Sequence, residues 1–180
     1  LSKYPKRSEY LKILNDKFRA TDTVFIGTTG NTAREMYCFM PDTRNFYMAG
    51  NMGGALSVGM GMAKAGKKTI VCGGDAEFAM HMGGITTAGR YSKETDLIYI
   101  LFDNESNKST GGQNTYQNHI NYNTIAQFSN FNSMKTIDNL EEFRVSLENN
   151  SELNKFLHIK CSYDSEVPRP PLQDVMKNKI

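Results

Sequence analysis

A chain of 180 residues, 39% hydrophobic and 22% charged, has the composition of a soluble globular protein with a core of good size. Its formal net charge of +2 gives no reason to expect nucleic acid or another polyanion as partner, and no apolar run is long enough for a membrane span or shaped like a secretory leader. Cys38, Cys72 and Cys161 have neither metal nor disulfide spacing, which fits buried, reduced thiols and a cytoplasmic location.

Ser8 to Arg19 places Leu11, Leu14 and Phe18 on one face of a predicted helix, with Ser8 as its N-cap. Thr23 to Gly27 (TVFIG) is a short buried strand, and TTGNTAREMYCF after it is a glycine turn opening into a helix. Asn45 to Gly50 is a strand, Asn51 to Gly66 a glycine-rich helical stretch, and Lys67 to Gly74 a strand entered through charged residues. AEFAMHMGGITTAGRY has helical period through Phe78, Met82 and Ile85. Asp96 to Asp103 (DLIYILFD) is an apolar strand of the kind buried on both faces. Asn104 to Asn123 is a long polar loop. NTIAQF and LEEFRVSLENN are helices, Lys155 to Cys161 is a last strand, and Val167 to Gln173 is extended because of its prolines.

Alternating strands and helices predict the α/β class: a three-layer sandwich with a mostly parallel sheet flanked by helices. The expected organisation is one domain over 1–180, with 1–22 an N-terminal helix or linker and 165–180 a proline-containing C-terminal extension. A first residue of Leu1 rather than methionine raises the expectation of a processed subunit or a piece of a longer chain.

Three loops at the carboxyl ends of predicted strands carry unusual chemistry: TTGNT, GGDAE and DNESNKSTGGQ. Ligands bind at that edge of such sheets. Gly73 and Gly74 allow a sharp turn and a close ligand, and the helix starting near Ala76 offers unpaired N–H groups to an anion. Asp75 has two readings, a helix cap or a carboxylate holding a cation against a phosphate. Asn104 lies 29 residues beyond Asp75, the length of one helix and one strand, so both fall at the same sheet edge. Aspartate, asparagine amide and a loop carbonyl together form an all-oxygen set of the kind Mg²⁺ accepts.

With Gly74-Asp75-Ala76 after one strand and Asp103-Asn104 after the next, the chain resembles the thiamine diphosphate enzymes. TTGNTAREMY, NFYMAGNMGGALSVGMGMA, STGGQNT and VPRPPLQ, in that order, are similar to the phosphonopyruvate and sulfopyruvate decarboxylases among them. The resemblance implies the thiamine diphosphate-binding fold, and thiamine diphosphate and Mg²⁺ as cofactors. It puts Mg²⁺ on Asp75, Asn104 and the carbonyl of Ser106. The diphosphate falls to Asn31, Thr32, Gly74, Ala76 and Glu77, and the aminopyrimidine to Gly50, Asn51 and Met52, with Met52 wedged between the cofactor's rings. Ala76 stands where the family motif has its last glycine, and Glu77 adds a second carboxylate.

The implied reaction is decarboxylation of 3-phosphonopyruvate to phosphonoacetaldehyde and CO2. The alternatives are a sulfopyruvate decarboxylase beta subunit or another 2-oxo acid decarboxylase, and a non-catalytic diphosphate-binding module. Lys108, Ser109, Thr110, Gly111 and Gly112 are candidates to meet the substrate, and His119 is a candidate proton donor. His81 is read as packed or solvated, Arg34 and Glu35 as a structural pair, and Arg169 as an anchor for the C-terminal segment. The activating glutamate of the family is expected on a pyrimidine-binding domain or alpha subunit. The chain is therefore expected to work in a homo- or hetero-oligomer and to be inactive alone.

Overall fold

Leu11, Leu14 and Phe18 are buried together on one side of the first helix, α1 (Arg7–Phe18), as the spacing requires. Its N-cap is Lys6, two residues before the expected cap Ser8, which lies buried in the first turn. A computed structural model of the chain describes residues 3–148, 153–163 and 167–176. The remaining elements are β1 (Val24–Gly27), α2 (Asn31–Phe39), β2 (Asn45–Tyr47), α3 (Ala55–Lys64), β3 (Thr69–Gly74), α4 (Asp75–Met80), α5 (Gly84–Arg90) and β4 (Leu97–Asp103). They continue with β5 (Ser106–Asn107), β6 (Gln113–Asn114), α6 (Tyr122–Phe128), β7 (Ser133–Ile137), α7 (Leu140–Glu148), β8 (Lys155–Lys160) and α8 (Leu172–Met176).

Six strands form one sheet in the order β2-β1-β3-β4-β8-β7, every pair parallel. Successive residues of the central strands feed opposite layers. Ile70, Cys72, Ile98, Ile100 and Phe102 join α1, α2 and α7 in one cluster. Val71, Leu97, Tyr99 and Leu101 join α3, α4, α5 and α6 in the other. Two apolar layers on a doubly covered parallel sheet give the expected three-layer sandwich. Burial pushes the Cys72 and Cys161 thiols up to about 12, so neither is a reactive thiolate. Among the described residues no helix is long and apolar enough to cross a membrane.

Several boundaries differ from expectation, each for a local reason. The single helical period through Phe78, Met82 and Ile85 is two helices, broken at His81 to Gly83, where adjacent glycines interrupt it. The loop Asn104 to Asn123 contains the antiparallel β5–β6 hairpin. β7 was not expected: it is an edge strand paired only with β8, and Lys135 and Thr136 are exposed within it, so it carries no apolar run. The C-terminal extended segment turns helical at Leu172. The expected end of the α7 helix at Asn149 and Asn150 lies outside the described residues.

Chain order and sheet order diverge at β1. From it the chain passes outward to β2, then returns to β3 on the other side. A crevice therefore opens beyond the carboxyl ends of β1 and β3, where the connections leave in opposite directions. The turn after β1 delivers Asn31 to this crevice and the turn after β3 delivers Asp75.

Candidate functional site

The β1–α2 turn is built on Gly30, whose φ of 90° and ψ of −143° belong to a region that only glycine enters freely. This places the first turn of α2, whose N–H groups have no partner within the helix, against the crevice. The Asn31 N–H donates to Ser109 Oγ at 3.3 Å, which brings the β5–β6 hairpin over that turn. Thr32 is buried, and its hydroxyl accepts from Arg7 Nη1 at 3.0 Å. It is the second residue of α2 and not its cap.

Asp75 is the first residue of α4, with Gly74 at the cap position. Its Oδ1 accepts from the Ala76 N–H at 2.9 Å and its Oδ2 from the Thr115 hydroxyl at 2.7 Å. The carboxylate is 3% exposed. Burial, reinforced by the charge of Asp103, pushes its pKa up to about 6 against the pull of Thr115, Ala76 and Arg7. A carboxylate held this far from water is primed for a cation. α4 has only six residues, so its terminus is a weak dipole and the nine-residue α2 is the stronger anion face.

Register carries Asn104 to the same edge. Gly74 pairs with Phe102 across β3 and β4, so the residues that follow each strand emerge side by side. Asn104 Oδ1 accepts from the Ser106 N–H at 3.3 Å. One cleft is lined by Asn31, Thr32, Met52, Gly74, Asp75, Ala76, Glu77, Asn104, Ser106, Lys108 and Ser109, all named from the sequence, together with Arg7, Thr28, Thr29 and Asn107, which were not. Thr28 Oγ1 is buried there without a hydrogen-bond partner among the described residues. An adjoining groove shares Thr29, Met52 and Ser109 with the cleft and adds Gly50, Thr110, Arg34 and Arg169.

The two carboxylates most open to doubt have separate employments. Glu77 is 3% exposed, and burial raises its pKa. Against that, the Tyr99 hydroxyl donates to it at 3.3 Å, and the nearby backbone N–H groups of Gly74, Ala55 and Gly53 favour its charged form. Glu77 is thus tied to Tyr99 and lies against the backbone at the starts of α3 and α4, on the wall of the cleft. Asp103 is engaged by His158 Nε2 at 2.8 Å and Lys160 Nζ at 2.5 Å. Burial raises the Asp103 carboxyl, but these two partners outweigh it and hold it below the ordinary value.

The structure leaves other sequence candidates outside the cleft. Gly111 and Gly112, with φ of 132° and 78°, form the hairpin tip and line neither cavity. Asn51 is exposed, and its amide packs against Gly54. His119 opens on a different cavity beside Tyr122, His158 and Lys160. His81 is exposed, and its Nδ1 is held 3.0 Å from the Gly53 carbonyl. Glu35 pairs with Arg7 and not with Arg34.

These residues fit a diphosphate held through a hard cation. Among the described residues no group of three or more His, Cys, Asp or Glu could hold a metal by itself. One carboxylate, an amide oxygen and a loop carbonyl suit an ion that completes its shell with water and phosphate oxygens. The free N–H groups at α2 and the unpartnered Thr28 hydroxyl supply donors for the phosphates.

Residues 26–160 match the family model described as "Thiamine pyrophosphate enzyme, C-terminal TPP binding domain". The chain is similar to sulfopyruvate decarboxylase subunit beta of Methanothermobacter thermautotrophicus, 36% identical over 120 residues, covering 66% of this chain and 64% of that one. It is also similar to phosphonopyruvate decarboxylase of Streptomyces viridochromogenes, 29% identical over 127 residues, 70% of this chain and 32% of that one. Among solved structures, benzoylformate decarboxylase from Polynucleobacter necessarius shares the fold, with a TM-score of 0.71 at 16% identity over 92% of this chain and 34% of that one. The chain thus spans somewhat less than two thirds of the first relative's length and about a third of the other two.

Proposed function

Since the chain belongs to the thiamine pyrophosphate enzymes, as their C-terminal TPP-binding domain, we propose that it holds the diphosphate end of thiamine diphosphate, through Mg²⁺, in a 2-oxo acid decarboxylase. The observation that carries this reading is the convergence of Asn31 and Thr32, Asp75, and Asn104 with Ser106 on one cleft at the β1/β3 crevice.

When bound, the cofactor supplies an electron sink for the carbanion left as CO2 departs. The chain's own residues bind and orient. Asp75, Asn104 and the Ser106 carbonyl would hold Mg²⁺, and Thr115 fixes the Asp75 carboxylate for that task. The first turn of α2 and Thr28 would take the diphosphate oxygens. Met52, at the junction of cleft and groove, offers its apolar side chain to the rings. Lys108 and Ser109, exposed at the mouth of the cleft, would meet the substrate. The glutamate that starts the cycle would come from a pyrimidine-binding domain or alpha subunit, so activity needs an oligomer.

The substrate class is a 2-oxo acid ending in a tetrahedral oxyanion. Sulfopyruvate stands ahead of the expected 3-phosphonopyruvate because the sulfopyruvate decarboxylase subunit is the more identical relative, at 36% against 29%. Side-by-side turnover of both substrates by the chain with its partner tests this. Faster CO2 release from sulfopyruvate supports the order given, a preference for phosphonopyruvate reverses it, and turnover of neither removes the decarboxylase reading.

A further inference from the structure

The family match begins at residue 26, yet one wall of the cleft comes from residue 7. The Arg7 side chain is 5% exposed and its partner Glu35 is fully buried. Arg7 Nε donates to Glu35 Oε2 at 3.0 Å and Nη2 to Oε1 at 2.7 Å, a bidentate pair. Nη1 donates to Thr32 Oγ1 at 3.0 Å. These bonds leave two of the guanidinium's five N–H donors without an acceptor among the described residues. Thr28 Oγ1, on the same wall, is also unpartnered.

Arg7 is held from its own side as firmly as from α2. Its N–H donates to the Ser162 carbonyl at 2.8 Å, and the Ser162 N–H donates to Pro5 at 2.8 Å, tying the start of α1 to the chain beyond β8. Tyr10, Leu11 and Leu14 then anchor α1 in the core against α2 and α7. The guanidinium keeps its charge: burial opposes it, but Glu35 raises its pKa overall. Its field reaches Asp75 and helps offset that carboxylate's burial.

We propose that Arg7 is a positioning residue of the anion cleft, fixing the first turn of α2 through Thr32 and Glu35 so that its N–H groups meet a diphosphate. The proposal rests on the diphosphate reading above. It makes α1 a working part of the site.

The test titrates the full chain with Mg²⁺ and inorganic pyrophosphate by calorimetry and follows unfolding by circular dichroism. In the double variant Arg7→Met/Glu35→Leu the buried ion pair becomes apolar, a replacement that keeps such folds intact. Its melting temperature is expected within about 5 °C of wild type, with pyrophosphate bound tenfold or more weakly. Arg7→Lys keeps the charge and the Glu35 partner but not the three-way fork, and an intermediate loss is expected. If either variant is folded and binds as wild type does, Arg7 has no positioning role and the proposal fails alone. A wild-type chain that binds no pyrophosphate with Mg²⁺ overturns both this proposal and the diphosphate reading.

Discussion

Thr115 donates a 2.7 Å hydrogen bond to Asp75 from 40 residues along the chain, across the hairpin that covers the cleft. The bond fixes one oxygen of a carboxylate whose other oxygen rests on the Ala76 N–H. The Asp75 carboxylate and the loop above it are therefore one unit. Thr115→Val is expected to weaken Mg²⁺-dependent binding of thiamine diphosphate about threefold to tenfold, with a smaller effect on melting temperature, because the net contribution of one hydrogen bond is about 0.5–1.5 kcal/mol. Calorimetry on the variant checks this.

Asp75 also predicts a pH dependence. Its carboxyl is raised from an ordinary 3.8 to about 6 in the folded chain, chiefly by burial. A raised acid favours the folded state while protonated, so the ligand-free chain loses stability as pH climbs from about 4 to about 6 and no more from this group above that. Asp75→Asn removes the penalty and is expected to stabilise the ligand-free chain at pH 8 by about 2 kcal/mol. The same variant loses stabilisation by Mg²⁺ and thiamine diphosphate. Melting curves of both proteins between pH 4 and 8 check both halves.

Asp103 runs the opposite way. His158 and Lys160 lower its pKa although burial pushes it up. The stability they supply is present above the unfolded carboxylate value, near 4, and is lost as pH falls through the lower folded value. Asp103→Asn is expected to cost about 2–4 kcal/mol at pH 7, by leaving Lys160 and His158 without their partner. The difference from wild type shrinks steadily below about pH 4, as acid unfolding at matched pH would reveal.

Glu77→Ala should unfold the chain more easily without removing a ligand group. The substitution takes its acceptor from the buried Tyr99 hydroxyl and removes the charge that the nearby Gly53, Gly74 and Ala55 N–H groups favour. A loss of about 2–4 kcal/mol is expected in denaturant titration, and Glu77→Gln, which keeps an acceptor, should lose less than half of that.

Much of this site is written in local chemistry. GGDAE and DNESN each follow an apolar strand, and two parallel strands one helix apart must end side by side, so Asp75 and Asn104 could be joined from spacing alone. The TTGNT turn was legible because a glycine before a helix has a known geometry. What escaped is long-range. Arg7 lies in an ordinary polar helix start, and nothing near it hints at Glu35 or Thr32. Thr115 is one hydroxyl in a polar loop. Glu77 read as an intruding charge because what steadies it is the Tyr99 hydroxyl, 22 residues along the chain, and backbone N–H groups, which no residue type announces. β7 escaped because an exposed edge strand carries little hydrophobic signal.

In the proposed function Asp75 holds the cofactor's diphosphate through a divalent ion. Titration of thiamine diphosphate into the chain and its pyrimidine-binding partner, with Mg²⁺ and then with a chelator, tests it most directly. Saturable binding that needs Mg²⁺ and falls a hundredfold or more in Asp75→Asn, about 3 kcal/mol, is the predicted result. Undiminished binding in Asp75→Asn, or in the absence of any divalent ion, would contradict it.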